Sequence, residues 1–168
     1  MNKEMYAYSL KLLTRKDYFE DELRALIDKR WIRGDDEDIS KDIDDVIAQL
    51  LSDRYLDDER SLRSFVRWKV QEGYGPYYIK EKLRNKQVNI SIESIYTVMD
   101  EEELDMEEAM RRVAQKYIRT KLKKKKDTAA FMRSAMSYMA YRGFPAGESL
   151  NILKSEVSGN ESDFSEGY

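Results

Sequence analysis

Apolar residues recur in three successive rounds along the chain, and this recurrence restricts the fold more than any other feature. Within each round they follow the spacing of a helix face. The middle helices of the three rounds align without a gap at an interval of 56 residues, which matches Leu23 with Ile79 and Ala135, Ile27 with Leu83 and Met139, and Ile32 with Val88 and Phe144. Helical units that recur in tandem pack against their neighbours. The sequence therefore predicts an all-α protein whose three tandem three-helix repeats form an elongated curved body.

The signals for helix ends set the limits of these repeats. We place them at residues 5–56, 57–100 and 104–154, and we expect a disordered acidic tail over residues 155–168. The candidate N-terminal caps are Asp17 (with Glu20 as a capping box), Ser40, Asp57 or Asp58, Ser91 and Thr128, and the candidate C-terminal glycines are Gly73 and Gly143. The chain has 7 Gly and 2 Pro, too few for the many turns of a β-sandwich or barrel.

Two residue types are missing, and their absence excludes most catalytic designs. With no Cys the chain has no disulfide, thiol nucleophile or thiolate metal site, and with no His it has no Ser-His-Asp triad and no imidazole ligand. Residues 1–15 lack the apolar run of a signal peptide, and no apolar stretch approaches the length of a membrane span. We expect a cytoplasmic protein that does not enter a membrane and whose acidic clusters bind no metal, whereas carboxylate chemistry and phosphoryl transfer remain compatible with this composition.

Charge is segregated along the chain. Residues 34–59 contain 11 acidic and 2 basic side chains, whereas residues 109–142 contain 11 basic side chains and one acidic side chain, Asp127. Such asymmetry is typical of a protein that binds a nucleic acid or an acidic partner. The alternative is that charge of both signs merely keeps a helical surface soluble.

The candidate partner-binding residues are bases in the second and third repeats. Six bases lie within the eight residues RTKLKKKK at 119–126, more than a solvated helix end requires. In the second repeat, bases flank tyrosines that either contact a partner or cover a small core. The full candidate set is Arg63, Arg67, Lys69, Tyr74, Lys80, Arg84, Arg112, Lys116, Arg119, Lys121, Lys123, Lys124, Lys125, Lys126, Arg133 and Arg142.

Two segments of the second repeat resemble a family signature. Residues 55–70 (YLDDERSLRSFVRWKV) and 73–86 (GYGPYYIKEKLRNK) resemble the RecX family of bacterial recombination regulators, and residues 10–27 and 142–145 resemble its first and third repeats. The resemblance covers residues 6–154. Tyr77 and Tyr78 stand where the family usually has basic residues, and Gln87 and Trp31 stand where it commonly has Gly.

The resemblance implies a regulator without catalytic residues or cofactor. Family members bind the RecA filament on single-stranded DNA and modulate, usually inhibit, its ATP hydrolysis, strand exchange and co-protease function in DNA repair, recombination and the SOS response. The resemblance implies weak or indirect contact with single-stranded DNA. We expect a monomer, because an elongated repeat protein needs no dimer. Two alternatives remain open, namely a general nucleic-acid-binding helical module that acts without RecA and an enzyme that uses paired carboxylates.

Overall fold

The computed structural model describes residues 2–31, 37–122 and 128–165, with side chains as far as residue 159. Within these residues the chain forms nine α-helices and no β-strand, which confirms the all-α prediction. In chain order they are α1 (Lys3–Leu13), α2 (Glu20–Trp31), α3 (Glu37–Ser52), α4 (Asp58–Gln71), α5 (Pro76–Asn85), α6 (Ile92–Glu101), α7 (Met106–Lys121), α8 (Thr128–Tyr141) and α9 (Ala146–Ser165). None of the helices described is both long and apolar enough to cross a bilayer.

The chain divides into two compact units. Unit 1 comprises Met1–Phe65 and Leu83–Asn89, and unit 2 comprises Val66–Lys82 and Ile90–Tyr168. Each unit has its own core. In unit 1 the largest buried cluster joins α1, α2 and α3, and it includes Met5, Leu23, Ile43 and Leu50. In unit 2 the corresponding cluster joins α7, α8 and α9 around Phe131.

The side chains aligned at the 56-residue interval form the buried face of each middle helix. Leu23, Ile79 and Ala135 are completely buried, and so are Ile27, Leu83 and Met139. In the third set, Phe144 is buried and Val88 is half-buried, while Ile32 lies outside the described residues. Burial of a Leu, Ile, Met or Phe side chain stabilises the folded state by about 1.5–3 kcal/mol. The aligned positions are therefore the ones that hold α2, α5 and α8 in place.

Four of the predicted helix ends are confirmed. The Asp57 carboxylate accepts a hydrogen bond from the Arg60 amide (3.0 Å), and the Ser91 hydroxyl accepts one from the Ser94 amide (3.1 Å). Gly73 and Gly143 follow α4 and α8 with φ values of +84° and +87°. A left-handed backbone of this kind ends a helix and favours glycine.

The starts of α2 and α3 differ from the prediction. In place of the predicted capping box at Asp17, the Glu20 amide donates to the Asp58 carboxylate, 38 residues away in sequence, at 2.7 Å. α3 begins at Glu37, so Ser40 lies inside the helix and is not its cap. Acidic residues in the first turn of α3, Glu37 and Asp38, face the positive end of the helix dipole and favour the earlier start.

The last helix is longer than the sequence predicts. Instead of a disordered tail from Ser155, α9 continues to Ser165, and residues 166–168 lie outside the described part of the chain. Val157 packs into the unit 2 core, and the Glu156 carboxylate accepts hydrogen bonds from Arg111 (2.8 Å) and Gln115 (3.1 Å) of α7. These contacts hold residues 156 and 157 of the predicted tail against α7 and the unit 2 core.

In unit 2, the turn before α5 and the turn after α8 meet through their backbones. The Gly75 amide donates to the Arg142 carbonyl (2.7 Å), and the Tyr77 amide donates to the Gly143 carbonyl (3.1 Å). A Cβ atom on Gly143 would lie 2.2 Å from the Tyr78 amide nitrogen, and one on Gly75 would lie 2.5 Å from the Gly143 carbonyl oxygen. Only glycine at both positions permits this approach, which we call the unit 2 junction.

Gly143→Ala is expected to destabilise the protein by roughly 2–4 kcal/mol, because the new methyl group meets backbone atoms and the left-handed φ is strained. Urea unfolding followed by circular dichroism measures this. The matched control is Gly147→Ala in the first turn of α9, where a Cβ meets nothing within 4 Å. That change should leave stability unaltered or raise it by up to about 1 kcal/mol. Equal stability of the two variants would contradict the packing described for the junction.

Candidate partner-binding surface

The basic residues predicted on α4 are paired with carboxylates of the same chain. The three pairs are Arg63–Glu59 (2.7 Å), Arg67–Glu102 (3.0 Å from Nε to Oε2) and Lys69–Glu72 (2.7 Å). Exposed pairs of this kind contribute only about 0–1 kcal/mol each to stability. Their larger effect is electrostatic, since each carboxylate cancels most of the positive field that its base would present to an anionic partner.

Tyr74 is part of a column of rings and cations. Its ring stacks on Tyr78 with centroids 3.9 Å apart and planes 14° apart, and the Arg142 guanidinium lies 4.2 Å from its centroid. The Lys82 ammonium lies 5.1 Å from the Tyr78 centroid. Cations over tyrosine rings are attracted to the negative face of the ring. Tyr74 therefore packs within the protein, as the alternative interpretation of these tyrosines expects.

Two predicted arginines bind the C-terminal carbonyls of α4. Arg112 donates to the carbonyls of Val70 (3.4 Å) and Gln71 (3.3 Å), and Arg142 donates to that of Glu72 (3.2 Å). The last carbonyls of a helix lack intrahelical donors and carry the negative end of its dipole. Both arginines thus supply the hydrogen bonds and the charge that the end of α4 needs.

Arg142→Ala should lower the free energy of unfolding by about 1–3 kcal/mol, because it removes a carbonyl contact and the cation–ring contacts with Tyr74 and Tyr138. The matched control is Arg119→Ala at an exposed position of α7, which is expected to change stability by no more than about 0.5 kcal/mol. Urea unfolding measures both variants. If Arg142→Ala proved as mild as the control, Arg142 would not be a structural residue.

The basic residues at the end of α7 are arranged differently. Lys116, Arg119 and Lys121, which we call the basic end of α7, are exposed, and the described residues include no carboxylate that pairs with them. Asp105 caps the start of this helix by accepting from the Glu108 amide (2.9 Å). With acids in its first turn and bases in its last, α7 is stabilised through its dipole and keeps its positive charge at one end.

The remaining predicted residues are dispersed. Arg133 on α8 and Lys80 on α5 are exposed and form no ion pair within the described residues. Arg84 is exposed and belongs to unit 1, as does Arg63, whereas the other described candidates belong to unit 2. Lys123, Lys124, Lys125 and Lys126 lie outside the described residues. Within unit 2, the structure therefore groups Lys69, Tyr74, Arg112 and Arg142 around the end of α4.

Trp68 is an exposed aromatic residue that the candidate set omits. Its side chain is 54% exposed, and the Lys69 ammonium lies 3.9 Å from its ring centroid. The exposure of Trp68 could have been predicted from the sequence, because Val66 and Val70 are four residues apart and mark the buried face of α4. Trp68 stands midway between them and so points away from that face.

No family model matches the chain, but individual relatives do. The regulatory protein RecX of Vibrio vulnificus strain CMCP6 is 33% identical over 137 residues, which cover 81% of this chain and 82% of that protein. The chain belongs to the RecX family. RecX of Salmonella paratyphi A is 34% identical over 110 residues, which cover 63% of this chain and 65% of that protein. RecX regulatory proteins are non-enzymatic, in agreement with the prediction that the chain is not an enzyme.

Crystal structures of RecX proteins share the fold. RecX from Lactobacillus salivarius superposes with a TM-score of 0.70 at 17% identity, covering 91% of this chain and 94% of that one. A second crystal structure of a regulatory protein RecX has the same TM-score and identity and covers 71% of its own chain. The nine helices accordingly form three three-helix repeats, α1–α3, α4–α6 and α7–α9. The repeat boundaries drawn from the sequence remain a prediction.

Proposed function

We propose that this RecX-family protein binds the RecA filament on single-stranded DNA and modulates it, chiefly by inhibiting ATP hydrolysis, strand exchange and co-protease activity. Family membership supports the general role of a regulatory protein. The observation that supports a filament-binding surface is the basic end of α7, where exposed cations have no carboxylate partners among the described residues.

The basic end of α7 is better suited to an anionic partner than α4 is. Ion pairing on α4 means that a partner must displace Glu59, Glu72 or Glu102 before it reaches the bases there. Lys116 and Arg119 have no carboxylate to displace among the residues that the structure describes. Association with a polyanion gains free energy from released counter-ions, and this gain is largest where cations are not already paired.

The inhibition we propose is mechanical. A molecule bound across neighbouring RecA subunits would resist the relative motion of those subunits that accompanies ATP turnover. Because one bound molecule affects several subunits, the effect should appear at ratios well below one molecule per RecA. The protein itself would act as a monomer and supply no chemical step.

RecA ATP hydrolysis in the presence of single-stranded DNA, titrated with this protein, tests the proposed function. We expect the rate to fall at substoichiometric amounts of the protein. A rate unchanged at every ratio and at low salt, with the cognate recombinase, would contradict regulation of RecA. If the protein then still bound DNA, it would be a general nucleic-acid-binding module.

Charge-neutral variants test the surface. The double variant Lys116→Gln with Arg119→Gln should weaken filament binding at low salt. The number of ionic contacts, read from the slope of log affinity against log salt concentration, should fall by about two. The matched control, Arg63→Gln with Arg67→Gln, removes the same charge from α4 and should change the affinity by less than about two-fold. Fluorescence anisotropy at several salt concentrations measures both variants. A larger loss in the control would move the binding surface to α4.

A further inference from the structure

The middle helices of the three repeats are α2, α5 and α8. In each unit, the turn after one of them contacts the start of the middle helix of the preceding repeat. In unit 1 the turn between α5 and α6 contacts α2, and in unit 2 the turn between α8 and α9 contacts α5. The residues correspond at the 56-residue interval: Lys86 to Arg142, Gln87 to Gly143, and Glu22 to Tyr78. The two contacts can therefore be compared position by position.

The contact in unit 1, which we call the unit 1 junction, cannot close as the unit 2 junction does. Gln87 adopts a left-handed φ of 66°, like Gly143, but it carries a Cβ atom where Gly143 has none. Among the described residues, no backbone hydrogen bond joins residues 19–21 to residues 86–87, although the unit 2 junction has two such bonds at the corresponding positions. A Cβ atom at residue 87 would meet the backbone of α2 if the unit 1 junction closed as the unit 2 junction does.

Side-chain charge takes the place of the missing backbone bonds. One oxygen of Glu22, Oε1, accepts hydrogen bonds from both Lys16 and Lys86, each at 2.8 Å. The Glu22 side chain is 19% exposed, and its other oxygen, Oε2, is buried without a partner. Burial alone would raise the pKa of Glu22, but the two lysines lower it below its ordinary value. The carboxylate is thus charged and holds both ammonium groups.

We propose that Lys16, Glu22 and Lys86 form a salt-sensitive latch, and that its opening lets the α5–α6 turn separate from α2. Counter-ions compete for half-exposed charges, whereas they have little effect on buried backbone hydrogen bonds. Salt or a polyanion that attracts the two lysines should therefore loosen the unit 1 junction and leave the unit 2 junction closed. This device goes beyond the proposed function and requires no recombinase.

Hydrogen exchange of the full chain, followed by mass spectrometry, tests the latch. Peptides covering residues 83–90 report on the amides of Gln87 and Val88, which donate within the turn. Peptides covering residues 140–146 report on the unit 2 junction. Glu22→Gln should speed exchange in the first region by about ten-fold and in the second by less than about two-fold. Raising NaCl from about 0.05 to about 0.5 M should likewise speed exchange over residues 83–90 of the wild-type protein more than over residues 140–146.

The control variant is Glu59→Gln, which removes the same charge from an exposed pair with Arg63 and should leave both regions unchanged. Lys86→Met provides a second way to open the latch and should reproduce the effect of Glu22→Gln. Unchanged exchange over residues 83–90 in both latch variants would overturn the proposal. Equal acceleration over residues 140–146 would overturn it as well, because it would show global destabilisation in place of local opening.

Discussion

The backbone contact between Gly75 and Gly143 is the constraint on which unit 2 depends. Two amide–carbonyl bonds tie the turn before α5 to the turn after α8, and there is no room for a Cβ atom at either glycine. Close-packed interiors transmit such constraints, because a displaced backbone shifts every side chain attached to it. The Gly-Tyr-Gly-Pro and Arg-Gly-Phe-Pro segments are thus two halves of one joint.

This joint also determines which bases are available to a partner. It places the Arg142 side chain against Tyr74 and the end of α4, where Arg112 supplies further hydrogen bonds to the same helix. Arg112 and Arg142 therefore help to hold the end of α4. Within the described part of the chain, the three bases at the basic end of α7 are exposed and have no carboxylate partner.

The two junctions occupy corresponding positions of the repeats but are held by different interactions. The unit 2 junction is held by backbone geometry, which responds little to ionic conditions. The unit 1 junction tolerates the side chain of Gln87 and is held by Glu22 and two lysines. The junction with glycine at residue 143 is thus held by a close backbone contact, and the junction with Gln87 at the corresponding position is held by ion pairs.

Helix formation and the buried face of each middle helix could be predicted from the sequence, because both depend on residues three or four positions apart. Asp57, Ser91, Gly73 and Gly143 were recognisable as helix ends for the same reason. The contacts made by the candidate site residues could not be predicted in the same way. Charge could be counted along the chain, but the pairing of Arg67 with Glu102 and the placement of Arg142 over Tyr74 join residues far apart in sequence. The cap that Asp58 provides for α2 and the extension of α9 along α7 are likewise long-range contacts. Local periodicity specified the helices, and only packing between distant segments decided where they end, which bases are neutralised and which remain exposed.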